Sequence, residues 1–354
     1  MPLIVADQVS LAPYTTLQMG GPAQHLAQIT DRATLVEALD WAKARALPIT
    51  ILGGGSNVVI SDRGIPGVVL VMQTRGIVLT KQRDAVHATV EAGEPWDGFV
   101  ERCVQEDLAG LECLSGIPGA VGATPIQNVG AYGQEVASCI EAVEVVDRST
   151  SQIAWLGAEA CNLGYRASRF KREPARFIVL AVRFALAPGA APTLRYAELA
   201  RSVAAGGELA TLASVRQHVR ALRRTKSMLL EPEDENRRSV GSFFLNPIVA
   251  AAQAADITAR AQSLGLIATD DDLPRYPQPD GRQKLSAAWL IERSGTQRGE
   301  RAGGVGISSR HALALVHHGG ARSAELLAFA ARVRERVRNT FGIELEQEPV
   351  MLGF

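Results

Sequence analysis

Residues 115–134, SGIPGAVGATPIQNVGAYGQ, contain five glycines and two prolines but no charged residue. Glycine adopts backbone angles that other residues avoid, and it lets the main chain come close to a ligand. A long segment of this kind suits a chain wrapped around a large planar cofactor. Alone, it is equally compatible with a glycine-rich surface loop, so its interpretation depends on motifs elsewhere in the chain.

The overall composition is that of an ordinary globular protein with two or three domains. The 354 residues are 47% hydrophobic, and 37 basic residues balance 37 acidic ones. This balance gives no indication of binding to nucleic acid or to an anionic membrane. No apolar run approaches the roughly 20 residues that cross a bilayer, and the N-terminus lacks the basic start of a signal peptide. We therefore expect a cytoplasmic protein, and we also expect it to be a monomer.

The cysteines and histidines show no metal-binding pattern. Cys103, Cys113, Cys139 and Cys161 form no CxxC pair and no zinc-ligand spacing, so buried reduced thiols are expected. The adjacent histidines 317 and 318 end an apolar run, and the chain contains no HExxH motif. No metal site is predicted.

Helical and extended patterns follow one another without a strict βαβ rhythm, which predicts α+β domains rather than a doubly wound sheet. The charged segment 231–239 is predicted to be a mobile loop or a domain junction. Helices are predicted at 31–46, 95–108, 211–226, 248–264, 284–293 and 322–340, and strands at 48–52, 67–72, 140–147 and 176–187, with a strand pair within 77–92.

A second glycine segment, GGGSN at 53–57, follows the predicted strand 48–52. It is not a dinucleotide-binding fingerprint, because GxGxxG is missing and the following residues resemble a strand. The chain also lacks the GxxxxGK[ST] loop of nucleoside triphosphatases. A turn of this composition can present several backbone N–H groups to a pyrophosphate. A simple hairpin turn is the alternative.

Three further features carry polar groups that could take part in catalysis or in ligand binding. GSFFLNP at 241–247 combines a flexible glycine, the hydroxyl of Ser242 and two aromatic residues, although a strand with buried phenylalanines also explains the aromatics. In YRASRFK at 165–171, Arg166 could bind a carboxylate through two hydrogen bonds, and the alternative is a solvated basic stretch. Glu348 could be an ordinary surface carboxylate.

Eight segments together resemble the UDP-N-acetylenolpyruvoylglucosamine reductase (MurB) family, in the family's order and over nearly the whole chain. They are YTTLQMGGPA (14–23), LGGGSNVVI (52–60), LSGIPGAVGATPIQNVGAYGQE (114–135), NLGYRASRFK (162–171), RRTK (223–226), GSFFLNP (241–247), QKLSAAWLIE (283–292) and LEQEPV (345–350).

The resemblance implies a vanillyl-alcohol-oxidase-like (PCMH-type) FAD-binding fold of α+β subdomains. FAD-binding subdomains are expected at 1–76 and 77–228, the second joined by a C-terminal strand at 343–354, and a substrate-binding domain at 229–342.

The implied reaction belongs to peptidoglycan precursor synthesis. NADPH reduces non-covalent FAD, and flavin N5 passes hydride to the enolpyruvyl ether of a UDP-sugar, giving UDP-N-acetylmuramate. Family resemblance makes Ser242 the proton donor to the carbon beside the substrate carboxylate. Arg166 would neutralise the negative charge that develops there. Glu348 would be repelled by that charge if ionised, so we expect it to act protonated or to share a proton.

The resemblance also implies the binding residues. Tyr165, Tyr196, Lys226 and Asn246 would contact substrate, with Tyr196 closing over it and Lys226 meeting phosphate, as in the family type that has an extra tyrosine-bearing loop. FAD would be bound by Gly53, Gly54, Gly55, Ser56, Asn57, Ser115, Gly116, Ile117, Pro118, Gly119, Gly122, Ala123, Thr124, Gln127, Asn128, Gly130 and Tyr132.

Two departures from the family pattern leave alternatives open. From the lysine of RRTK the chain runs through KSMLLEPEDENRRSV to GSFF, where the commoner form has a short KLPDP link, which makes the role of Lys226 less certain. The ending EPV in place of PEV makes Glu346 a rival to Glu348, although counting from FGIELE favours Glu348.

Two other functions remain open: another flavin oxidoreductase of the same fold, or an inactive FAD-binding relative. The glycine segments hold no histidine or cysteine that could attach FAD covalently, which counts against an oxidase.

Overall fold

The computed structural model describes residues 3–207, 209–268 and 273–354. Residues 1–2, 208 and 269–272, which fall within the predicted domains, lie outside the described residues. The described part mixes helices and strands. The helices are α1 (Arg32–Ala44), α2 (Trp96–Gln105), α3 (Ala158–Cys161), α4 (Arg169–Arg172), α5 (Ala197–Ala205), α6 (Leu212–Thr225), α7 (Ala251–Ser263), α8 (Ala287–Arg293) and α9 (Ser323–Phe341).

The strands are mostly short, and most of them pair antiparallel. They are β1 (Val5–Ser10), β2 (Pro22–Ile29), β3 (Ile49–Leu52), β4 (Val58–Ile60), β5 (Ile65–Met72), β6 (Ile77–Lys81), β7 (Val86–Glu91), β8 (Leu108–Ala109), β9 (Gly130–Ala131), β10 (Gln134–Glu135), β11 (Ile140–Asp147), β12 (Gln152–Gly157), β13 (Phe177–Pro188), β14 (Ile248–Val249), β15 (Arg275–Pro277), β16 (Gln283–Leu285), β17 (Arg301–Ala302), β18 (Val305–Ile307), β19 (Leu315–His317) and β20 (Val350–Leu352).

The chain forms two compact units. The first comprises Met1–Val9, Ala23–Gly55 and Pro66–Leu229, and the second comprises Ser10–Pro22, Ser56–Ile65 and Leu230–Phe354. The three-part domain division remains a prediction. Its C-terminal segment, which we expected to join 77–228, lies in the second unit, where β20 pairs in parallel with β4.

The first unit is built on two sheets. One has the order β1-β2-β5-β3, and β3 and β5 are parallel. The other has the order β12-β11-β13-β7-β6, with β8 also pairing with β13. Helix α2 covers this core because Trp96, Phe99, Val100 and Cys103 recur at helical spacing and are buried. This helix follows β7 directly and places its first turn beside residues 115–134.

The second unit gathers its core around α9. This helix buries a stripe that includes Leu326, Phe329 and Val333, as expected for one apolar face of a long amphipathic helix. Small sheets β14-β16-β15 and β17-β18-β19 accompany it. Phe243 and Phe244 belong to the same core and are fully buried.

Local sequence signals explain where several helices begin. Asp31 caps α1, since its carboxylate accepts the Thr34 N–H at 2.8 Å. The predicted helix 284–293 begins later than expected, at Ala287, because Ser286 caps it and residues 283–285 pair in a sheet.

The four cysteines are buried and free, as predicted. Within the described residues, no helix has the length and apolar character that crossing a bilayer requires.

Candidate active site

In the first unit, the two glycine segments approach each other backbone to backbone. A Cβ atom added to Gly54 would lie 2.7 Å from the Cα atom of Gly119, closer than real Cβ contacts. At Gly53 the nearest atom would be the Ala120 Cβ, at an ordinary 3.5 Å. Glycine at 54 is therefore required for this approach.

The turn between β7 and α2 holds the second glycine segment in place. The Gly119 carbonyl accepts the Trp96 N–H at 3.0 Å, and the Gly122 N–H donates to the Ala92 carbonyl at 2.9 Å. The Trp96 indole donates to the Leu114 carbonyl, also at 3.0 Å. The segment thus follows a path set by the core of the first unit, unlike a loose surface loop.

Several polar side chains within residues 115–134 hydrogen-bond to nearby groups of the protein and so stabilise the path of this segment. The hydroxyls of Ser115 and Thr124 each donate to the backbone carbonyl three residues earlier, at 2.6 and 2.8 Å. The Asn128 amide donates to Glu135 at 2.9 Å. Their predicted contacts with FAD remain predictions, and backbone groups are the better candidates at these positions.

Arg166 is fixed against the same segment. Its guanidinium donates to the Gly130 carbonyl at 2.9 Å and to the Asn128 carbonyl at 3.3 Å, and it lies 5.7 Å from the ring of Tyr165. The residue has a φ of 49°, which is uncommon for a residue with a side chain. The structure therefore positions this cation before any ligand binds.

Two predicted substrate residues and one predicted FAD residue form a cluster. The rings of Tyr132 and Tyr196 meet edge to face at 5.5 Å between centroids, and the ammonium of Lys226 lies 5.9 Å from the Tyr132 ring. Lys226 also pairs with Glu198 at 2.6 Å. Burial, together with the nearby Glu198 and Tyr196, raises the pKa of Tyr132 to about 12.

Helix α6 presents arginines to the second glycine segment, a feature the sequence analysis did not identify. Asp97, in the first turn of α2, accepts the Gly116 N–H at 2.6 Å. The same carboxylate binds Arg216 at 2.6 Å and Arg220 at 2.7 Å. Burial alone would raise the pKa of Asp97, but these hydrogen bonds outweigh it and hold the pKa below its usual value.

Arg223, one turn further along α6, is bound differently. One of its terminal nitrogens donates to the Met228 carbonyl at 2.7 Å, while its Nε is enclosed without a hydrogen-bond partner among the described residues. Burial lowers the pKa of this guanidinium. An orphaned donor next to Gly116 is the kind of group that a polar or anionic ligand completes, so the site fits a cofactor such as FAD.

Replacing Asp97 with asparagine should lower the free energy of unfolding by about 1 to 3 kcal/mol at pH 7, because two guanidiniums lose their shared partner. The lowered pKa of Asp97 sets the pH dependence. The contribution is complete above the unfolded-state pKa of about 3.9 and is lost as pH falls through the folded-state value. Urea melts at pH 7 and below pH 4 test this.

The matched control for this prediction is Asp40→Asn, an exposed carboxylate on α1. Equal stability of the Asp97 variant and the control at pH 7 would contradict the assigned role of Asp97.

In the second unit, the segments that carry Ser242 and Glu348 lie side by side. The Glu348 N–H donates to the Phe243 carbonyl at 2.9 Å, and the Leu245 N–H donates to the Glu346 carbonyl at 2.9 Å. Phe243 and Phe244 anchor this arrangement in the core. Ser242, partly exposed, therefore directly precedes the residue that is hydrogen-bonded to Glu348.

Burial distinguishes the two candidate glutamates. Glu348 is 8% exposed, whereas Glu346 is exposed. Asn57, from the first glycine segment, donates its side-chain amide to the Glu348 carbonyl at 3.5 Å, and its own carbonyl accepts the Val350 N–H at 3.0 Å. The geometry favours Glu348 as the functional carboxyl, although its role remains a prediction.

Asn246 has a structural contact in addition to its predicted role in substrate binding. Its side-chain oxygen accepts the Ala287 N–H at 2.9 Å, which supports the first turn of α8. Its amide N–H groups are the ones that would contact a ligand.

The other predicted FAD residues lie in the same two segments. Gly55 has a φ of 61°, and Ile117 packs against the first unit's core. The spacing of Arg216, Arg220 and Arg223 places these arginines on one face of α6 and was visible in the sequence. That spacing alone does not show that Asp97 is the carboxylate that Arg216 and Arg220 meet.

Two family profiles match the chain. The FAD binding domain profile covers residues 23–157, and the UDP-N-acetylenolpyruvoylglucosamine reductase C-terminal domain profile covers residues 231–352. The first contains both glycine segments, and the second contains Ser242 and Glu348.

Full-length relatives carry the name of the reductase profile. UDP-N-acetylenolpyruvoylglucosamine reductase from Thermobifida fusca is 47% identical over 352 residues, covering 98% of each chain. The Streptomyces avermitilis reductase is 45% identical over 97% of this chain and 93% of that relative.

A solved structure of a reductase with the same name is also similar to this chain. The reductase MurB from Thermus caldophilus matches with a TM-score of 0.67 and 26% identity, covering 99% of both chains. The predicted family, the α+β FAD-binding fold and the FAD and NADPH cofactors are thereby confirmed. The chain belongs to the UDP-N-acetylenolpyruvoylglucosamine reductase (MurB) family, whose members reduce an enolpyruvyl UDP-sugar during peptidoglycan synthesis.

Proposed function

We propose that this chain reduces UDP-N-acetyl-3-O-(1-carboxyvinyl)glucosamine to UDP-N-acetylmuramate, with Ser242, Arg166 and Glu348 as its catalytic residues. The observation that best supports the assignment is the hydrogen bond from the Glu348 N–H to the Phe243 carbonyl, which keeps a buried carboxyl beside the Ser242 segment. Bound FAD would supply hydride transfer from NADPH to the enol ether.

Several residues of the first unit would hold FAD. Gly54 and Gly119 leave room for close backbone approach, and the enclosed Arg223 Nε lacks a partner among the described residues. Asp97 keeps the Gly116 N–H in position. Because these groups are held by contacts within the protein, FAD binding would require little additional ordering of them.

Ser242 would donate the proton to the carbon beside the substrate carboxylate. A serine hydroxyl is a weak acid, so neighbouring groups must polarise it in the transition state. Arg166 would stabilise the negative charge that develops on the substrate, and its hydrogen bonds to the glycine segment hold it in place beforehand.

Glu348 would act as a neutral hydrogen-bond donor, since an ionised carboxylate would oppose that charge. Replacing Glu348 with glutamine should therefore retain most of the activity, within about tenfold of wild type in kcat. Steady-state assays at pH 7 measure this. Glu346→Gln is the matched control and should match wild type, because Glu346 is exposed. A loss of several hundredfold in Glu348→Gln would mean that Glu348 exchanges a proton.

Tyr196, Lys226 and Asn246 would contact the UDP-sugar, with Lys226 meeting its diphosphate. We further propose that the enzyme is cytoplasmic and monomeric, as expected from the sequence.

The first test is an anaerobic visible spectrum of the purified protein, with NADPH added and then the enolpyruvyl substrate. Bleaching by NADPH and recovery of the yellow flavin with substrate would support the proposal. Bleaching without recovery would indicate another flavin oxidoreductase, and no bleaching would indicate an inactive FAD-binding relative.

A further inference from the structure

We propose that Glu198 is a positioning residue whose ion pair with Lys226 competes with the binding of the substrate's diphosphate to Lys226. The inference rests on the proposed function, in which Lys226 meets that diphosphate. It adds a residue outside the family motifs quoted above, and it makes release of an ion pair part of substrate binding.

The contact itself is close and direct. The Lys226 ammonium lies 2.6 Å from a carboxylate oxygen of Glu198, and both side chains are about one-third exposed, at 29% and 36%. Lys226 directly follows the last residue of α6, and Glu198 lies in the first turn of α5. An incoming anion can therefore reach the pair from solvent.

The position of Glu198 links this pair to the tyrosine that is expected to close over the substrate. Tyr196 directly precedes α5 and lies two residues before Glu198. Its ring packs against Tyr132, and the Lys226 ammonium lies 5.9 Å from the centroid of the Tyr132 ring. Movement of Lys226 away from Glu198 would therefore change the surroundings of the Tyr132 ring, against which Tyr196 packs.

Charge decides the direction of the effect. A diphosphate brought to Lys226 must displace the Glu198 carboxylate or tolerate its repulsion, and either requirement weakens binding. An ion pair this exposed contributes modestly, equivalent to about 1.5- to 5-fold in an equilibrium constant. Removing the carboxylate should tighten substrate binding by that factor, and salt should reduce the gain by screening.

The decisive variant is Glu198→Gln, which keeps the side chain's size and removes its charge. The oxidised holoenzyme is titrated with the enolpyruvyl UDP-sugar while the flavin absorbance is followed. We expect a Kd about 1.5- to 5-fold lower than wild type at low salt, and a smaller difference in 0.5 M salt. An unchanged or higher Kd would overturn the proposal.

Two further variants separate competition from a structural role. Glu198→Asp keeps the charge and should bind substrate like wild type, whereas a structural role predicts weaker binding in both Asp and Gln variants. Glu159→Gln removes an exposed carboxylate from the first turn of α3 and controls for net charge. An equal gain in this control would overturn the specific role of Glu198.

A double-mutant cycle with Lys226→Met completes the test. The gain from Glu198→Gln should disappear when Lys226 is absent. Unchanged affinity in Lys226→Met alone would overturn the proposed phosphate contact and, with it, the role of Glu198. A weakened Lys226→Met beside an unchanged Glu198→Gln would overturn only the latter.

Discussion

Replacing Ser242 with alanine should leave flavin reduction by NADPH near its wild-type rate and slow flavin reoxidation by the enolpyruvyl substrate about 10²- to 10⁴-fold. The reason is that only the second half-reaction needs a proton delivered to carbon. Ser242 is partly exposed, next to the buried Phe243, so loss of its hydroxyl should not disturb the core. Anaerobic stopped-flow absorbance measures the two steps separately.

The control for Ser242→Ala is Ser263→Ala, which removes an exposed hydroxyl from the same unit. That hydroxyl donates to the Arg260 carbonyl near the end of α7. Both half-reactions should be unaffected in the control. Equal slowing of both half-reactions in Ser242→Ala would remove Ser242 from the role of proton donor.

Replacing Gly54 with alanine should weaken FAD binding about 5- to 150-fold, the equivalent of the cost of overpacking a tight contact. The added methyl group would lie 2.7 Å from the Cα atom of Gly119 and 3.0 Å from its carbonyl carbon. Backbone atoms cannot move aside as a flexible side chain can. The two glycine segments would have to separate, and a cofactor bound by both would lose contacts.

Gly157→Ala is the control for Gly54→Ala, because a Cβ at Gly157 meets nothing within 4 Å and its φ is −62°. Titration of the apoprotein with FAD, followed by flavin fluorescence, gives both affinities. An FAD affinity of Gly54→Ala equal to that of the control would show that the close approach of the two segments is not needed for binding.

Much of the secondary structure could be predicted because its signals are local. The Asp31 cap and the apolar stripe of α1 lie within one stretch of 16 residues, and the predicted helix 31–46 agrees with α1 to within two residues. The predicted helix 211–226 likewise buries Leu212, Val215 and Val219. Such patterns depend on neighbours three or four residues apart.

Features that depend on distant partners were missed or misjudged. The C-terminal strand expected at 343–354 forms at Val350–Leu352, which pair with Val58–Ile60, and Gln347 makes only an isolated bridge to Phe244. For the segment 231–239, expected to be a mobile loop or a domain junction, the junction alternative agrees with the unit boundary between Leu229 and Leu230. The expected mobility did not foresee the buried Asn236, which hydrogen-bonds to Ser309.

The α+β class and the family could be predicted from the sequence, because they depend on the order and spacing of motifs along the chain. The catalytic roles of Ser242, Arg166 and Glu348 were inferred from the same motifs and remain predictions. Tertiary structure alone decided that Gly54 meets Gly119, that Asp97 serves both α6 and Gly116, and that Glu198 holds Lys226. Each of these pairs is brought together by folding from positions 19 to 123 residues apart. Their contacts follow from how the helices and sheets pack, which no local pattern records.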